Sequence, residues 1–149
     1  MNSSSDWDRL NCEFFASNCR RVLGDYLEDQ GFVENEQTPV RGILYRRFDV
    51  FLELSYDPQT SPNYSPTIVI GTGTGKYDDA GRPAGVPFWY VIPNNLPERD
   101  YTFWTFKTEA DLESVLARIK DSVLDLHAKP LWFNLDRLEK CIQNFRAEF

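Results

Sequence analysis

The stretch Ile43-Leu-Tyr-Arg-Arg-Phe-Asp-Val-Phe-Leu-Glu-Leu-Ser-Tyr56 decides the fold class. Leu44, Phe48, Val50, Leu52, Leu54 and Tyr56 share one parity, broken only by Arg46. Apolar residues at period two mark a β-strand with one buried face. The stretch is either one long bent strand or a tight hairpin turning near Arg47-Phe48-Asp49, and the residues leave both open. Upstream, Phe32 to Gln37 reads as a short strand, closed by turn formers at Pro39 and Gly42. Downstream, 57–66 is a proline-rich loop, 66–74 a strand and 76–87 a second loop. FWYVIP (88–93) and YTFWTF (101–106) read as two further strands.

Helical patterns flank this β region. Residues 5–30 place Trp7, Leu10, Phe14, Phe15, Val22, Leu23, Tyr26 and Leu27 at a period near 3.6, and Gly31 stands where a terminating glycine belongs. Ser3, Ser4, Ser5 and Asp6 offer N-caps, and 1–5 is expected to be a disordered tail. Gly24 inside the helix costs about 1 kcal/mol against alanine, which predicts close packing there. Thr108 opens a second helix, with Asp111 in the capping-box position. Its stripe is Leu112, Val115, Leu116, Ile119, Val123 and Leu126, and Lys129-Pro130 is expected to stop it. A last helix spans about 135–147, capped by Asn134. Strands in the middle, helices at both ends and no βαβ alternation predict a single α+β domain over 1–149. Its sheet is mostly antiparallel, with five or six strands and helices on one face.

Composition narrows function. A chain of 149 residues buries about 68–70% of its unfolded surface, so it needs no metal or disulfide staple. A net charge of −7 disfavours nucleic acid and anionic membranes, which call for basic faces, and suits a basic protein partner. Cys12, Cys19 and Cys141 have no metal-ligand spacing and read as free, buried thiols. The first residues show neither a basic nor an apolar leader region, and no run is long enough to span a bilayer. The expected compartment is the cytoplasm. The residues do not set an oligomeric state.

The stretch TIVIGTGTGKYDD (67–79) resembles a phosphate loop at first sight. Counting back from Gly75-Lys76, the first glycine of a P-loop falls on Ile70, and Tyr77 stands where the magnesium-binding hydroxyl belongs. A dinucleotide fingerprint fails at its third glycine, which is Lys76, and turn chemistry rather than a helix follows. No cofactor is implied. Strand alternation puts Gly71, Gly73 and Gly75 on one face, a bare stripe that a helix or aromatic rings cover, or that floors a groove.

Other candidates are weaker. His127 sits at a helix end, where it can serve terminal carbonyls. No serine stands in a nucleophile elbow, and no carboxylate pair has glycosidase spacing, so no catalytic residue is assigned. Glu34 and Glu36 share a strand face that reads as the wet one. Asp78 and Asp79 lie in a glycine-rich loop without a calcium ladder, and read as a solvated turn or a charged contact for a partner. As strands, the two aromatic runs would carry rings on both faces, including Trp89 and Trp104. These rings are covered by loops or form a binding surface. The candidate binding set is Gly71, Gly73, Gly75, Asp78, Asp79, Trp89 and Trp104.

Several stretches in this order carry a resemblance: YLEDQGFVENE (26–36), ILYRRFDVFLEL (43–54), IVIGTGTG (68–75), FWYVI (88–92) and LHAKPLWFNLDRLEKCI (126–142). The chain resembles a family of small bacterial α+β domains of unknown function, some related to immunity proteins of toxin systems. It departs from that pattern at Ala128-Lys129-Pro130 and in the glycine richness of 71–75. The resemblance implies the same fold and a non-enzymatic, protein-binding role such as toxin neutralisation. The alternative is a small-molecule-binding domain with the glycine stripe as floor and Trp89 or Trp104 as wall.

Overall fold

The computed structural model describes residues 4–35, 41–57, 64–73, 76–100 and 103–148, with side chains from residue 13 onward. Helix α1 runs Ser4–Asp29 and takes in the last two residues of the expected tail. Gly31, at φ +94°, ends it. The Gly31 N–H donates to the Glu28 carbonyl and the Phe32 N–H to the Leu27 carbonyl, both at 2.9 Å. That double bond satisfies carbonyls the helix end leaves open and turns the chain into the sheet.

The sheet has five strands in sequence order: β1 Val33–Glu34, β2 Gly42–Arg47, β3 Val50–Tyr56, β4 Pro66–Thr72 and β5 Gly85–Pro87. Every pairing is antiparallel. Residues 43–56 form the hairpin. Arg47 pairs with Val50 across a two-residue turn, Phe48-Asp49. Such a turn swaps the parity that faces the core. Ile43, Tyr45 and Arg47 therefore share a face with Leu54, Leu52 and Val50, while Leu44 lies opposite with Glu53. The expected single-parity face holds only from Val50 onward. The first strand is shorter than expected, and 36–37 lie outside the described residues.

The helices cover one face. Helix α3 runs Glu109–Ile119, capped by the Thr108 side chain, which accepts from the Asp111 N–H. It continues as a π-helical segment, Lys120–Ala128, and then as α4, Lys129–Trp132. Helix α5 spans Leu135–Glu148, and Asn134 accepts from the Arg137 N–H at 3.2 Å as its cap. Phe15, Leu23, Leu27, Leu52, Leu54, Ile70, Leu116, Trp132 and Leu138 pack in one core between helices and sheet. Asn18, buried in α1, holds α1 against α3 through Glu109 Oε1 at 3.2 Å.

Two expected strands do not form among the described residues. After Pro87, FWYV is a short helix, α2 (Phe88–Val91), and residues 103–106 form a wrapping segment joined to Tyr64 by a bridge at Phe106. Residues 101–102 lie outside the described residues. A strand would have split the rings between two faces. These conformations bury Phe88, Trp104 and Phe106 together on the covered face. The stop at Lys129-Pro130 is also overturned, since the helix runs on to Trp132. The Lys129 N–H bonds the Leu124 carbonyl, one residue further back than in an α-helix. That wider turn gives the Pro130 ring room beside the preceding turn. It also rotates the stripe, so Leu124 is buried and Leu126 exposed. Gly24 lacks the expected close packing, for a Cβ there meets nothing within 4 Å.

Candidate functional site

Among the described residues, the predicted set does not converge. Gly71 is no open floor: an added Cβ would strike the Ala84 carbonyl, lie 2.5 Å from Gly85 Cα and meet the Phe51 ring at 2.8 Å. Its bareness lets β4 and β5 sit beside the Phe51 ring. Gly73, past the strand end, accepts from Arg46 Nη1 at 2.7 Å. Gly75 lies outside the described residues. Among the described residues, no helix follows β4 before Phe88.

Asp78 organises a tight turn. Its Oδ1 accepts the Ala80 and Arg82 N–H groups and its Oδ2 the Arg82 Nε, each at 2.9 Å, with Arg146 Nη2 of α5 at 3.5 Å. The Arg82 backbone N–H first, then the other bonds and the Arg82 charge, hold this carboxyl below its ordinary range. Arg146 also donates to the Pro83 carbonyl at 2.6 Å, so the turn is tied to α5. Asp79 beside it is exposed. Lys76, at the turn's start, reaches Glu53 at 2.8 Å on the sheet face opposite the helices. Glu53 is buried, and burial holds the Lys76 ammonium below its ordinary range. Sequence reading missed this pair, although a glutamate between Leu52 and Leu54 was its signal.

The tryptophans part company. Trp104 is in the core, donating its indole N–H to the Glu98 carbonyl at 2.9 Å. Trp89 is half-buried on α2, edge-on to Tyr90 and Phe145, beside a cavity of about 220 Å³. His127 and Cys141 line another cavity, of about 280 Å³. Burial pushes the Cys141 thiol up, against the Arg137 charge, which favours the thiolate. Cys19 is a buried free thiol as expected, and the side chain of Cys12 lies outside the described residues.

The outstanding surface lies at the hairpin tip. Phe48 is 88% exposed and sits at φ +52°, in the left-handed region. The Arg47 guanidinium carbon lies 5.3 Å from the Phe48 ring centre and 4.4 Å from that of Phe133, which is 54% exposed. Arg47 is itself fixed by bonds to the Gln30 and Trp132 carbonyls, at 2.9 and 3.2 Å. Val33, on the edge strand opposite Arg46, is also exposed. Two phenyl rings and a clamped guanidinium thus stand where α1, the hairpin and the α4–α5 corner meet. The surface went unseen because Phe48 reads as part of a strand's apolar parity.

Among the described residues, no helix is long and apolar enough to cross a membrane, and no three His, Cys, Asp or Glu residues are grouped to hold a metal. Comparison of the chain with family models, curated proteins and solved structures found no match.

Proposed function

We propose that the chain is a non-enzymatic protein-binding module that holds a basic partner, in the manner of a toxin-neutralising immunity protein. One observation carries this reading: Phe48 presents its ring to solvent from a backbone conformation that suits glycine. A left-handed non-glycine residue costs roughly 1–2 kcal/mol. Burial does not offset that cost, since the ring is exposed. Aromatic and arginine anchors of this kind dominate protein interfaces. The net charge of −7 supplies the long-range attraction for a basic partner. Among the described residues, neither Gly71 nor Gly73 lines the cavity beside Trp89, which favours this reading over a small-molecule groove.

The test is capture from the source lysate with wild-type and Phe48→Gly protein side by side. The variant relieves backbone strain but loses a cation–π contact of about 0.5–1 kcal/mol and gains unfolded-state freedom. Its stability should stay within about 1 kcal/mol of wild type, read by thermal melting. A near-stoichiometric basic protein held by wild type and lost by the variant supports the proposal. An identical set of captured proteins from both overturns it.

A further inference from the structure

A groove opens between α1 and the edge of the sheet, with a cavity of about 360 Å³. That is within the range of small-ligand sites, roughly 300–1,000 Å³. Asp25 and Glu28 stand on its helical side, three residues apart and so on one face. Arg20 and Glu34 close one end as a two-bond pair, at 2.8 and 3.1 Å. Three carboxylates therefore face one guanidinium that is already matched.

Two further observations separate this groove from an ordinary acidic helix face. Tyr45, 4% exposed, lines it, and its buried hydroxyl has no hydrogen-bond partner among the described residues. An orphaned buried hydroxyl is costly, so a ligand that bonds it gains that energy back. Gly24 lines it too, in the interior of a 26-residue helix, with nothing within 4 Å of where a Cβ would stand. Glycine there weakens the helix with no packing reason. What it provides is the open wall of the groove. Burial, with Cys19 and Glu34 close by, holds the Tyr45 phenol protonated well above its ordinary range, so it meets a ligand as a neutral hydroxyl.

The geometry points to a site for a primary alkylammonium group, presented as a lysine side chain of a basic partner. The ammonium has three donors. Asp25, Glu28 and the Tyr45 oxygen are the acceptors, and the aliphatic stem runs along Gly24 and the apolar edge of Phe32 and Val33. Val33 pairs with Arg46, the residue before the Arg47–Phe48 corner, so one partner can span both. The lysine source rests on the partner-binding reading; the cation site does not.

The test is a titration of the full chain at pH 7, followed through amide shifts, with the Gly24 amide as reporter. The probes are n-butylammonium, neutral n-butanol and a capped Gly-Lys-Gly peptide. Saturating shifts are expected with butylammonium and with the peptide, and none with butanol. Tyr45→Phe, which keeps the ring, should weaken ammonium binding about 10-fold or more. Gly24→Leu should abolish it while raising the melting temperature by about 2–4 °C, because it restores helix propensity. A stable Gly24→Leu protein that still binds overturns the site, as does the absence of shifts with either cation. Binding of butylammonium with exclusion of the peptide overturns the lysine assignment. Capture that is the same with wild type and Phe48→Gly, beside intact ammonium binding, strikes the partner reading alone.

Discussion

Asp78 shows how much one side chain does here. Its carboxylate receives three N–H donors from Ala80 and Arg82 and stands by Arg146 of α5. The folded state lowers its proton affinity. A carboxyl depressed in this way adds stability above its unfolded value, near 3.9, and that contribution is lost as pH falls through the folded value. Asp78→Asn keeps the side-chain oxygen that can accept backbone N–H groups but removes the charge. It should melt below wild type at pH 7, with the gap closing as pH drops below about 4. A gap that stays constant from pH 7 to pH 2 would count against the charge as the cause. Residues of this kind differ in how well sequence shows them. Gly31, Thr108 and Asn134 were legible because cap chemistry is local: each serves backbone groups within a turn of itself. The Tyr45 hydroxyl and the Glu53 carboxylate were not. What matters about each is what lies across a strand or under a loop, which no local spacing records.

At the level of elements, parity carried the sheet but left its turn open between a bend and the hairpin near Phe48-Asp49 that forms. The alternation of 43–56 gave the strands, and the swap at Phe48-Asp49 was hidden because Phe48 continued the even apolar positions. The aromatic runs at 88–93 and 101–106 have strand composition, yet they fold as a helix and a wrapping segment. Burial of their rings on one face outweighs intrinsic β preference. The π-helical segment is equally a tertiary outcome: it seats Leu124 in the core and leaves Leu126 outside. The turn after β4 is held to the far sheet face by Lys76 and Glu53, beside a small cluster of Leu44, Phe51 and Ala84. Lys76→Met strands the buried glutamate. Breaking fully buried pairs costs about 3–5 kcal/mol, and Lys76 is 36% exposed, so a loss of about 2 kcal/mol is expected. Glu53→Leu together with Lys76→Met should restore most of that, because two apolar groups replace the pair. Denaturant melts of the single and double variants measure the coupling. If the double variant is as unstable as Lys76→Met alone, the penalty is lost packing rather than a stranded charge.

For the molecule as a whole, charge and shape divide the work of recognition under the proposed function. The charge is spread over a surface with a net value of −7, whereas the anchors are confined to one corner. These act at different distances. At 0.1 M salt the screening length is about 10 Å, so the diffuse charge matters during approach and little once surfaces touch. The rings and the clamped Arg47 matter only in contact, since dispersion and cation–π attraction fall away within a few ångströms. The two contributions should therefore separate in kinetics once the partner is in hand. Raising salt from about 0.05 to 0.5 M should slow association of the wild-type complex at least several-fold and leave dissociation nearly unchanged. Phe48→Gly should do the reverse, speeding dissociation by 10-fold or more at an association rate close to wild type. Surface-immobilised kinetics at three salt concentrations distinguish them. If salt acts on dissociation as strongly as on association, the ion pairs are in the interface itself. The Asp25–Glu28–Glu34 groove, rather than the Phe48 corner, would then hold the complex together.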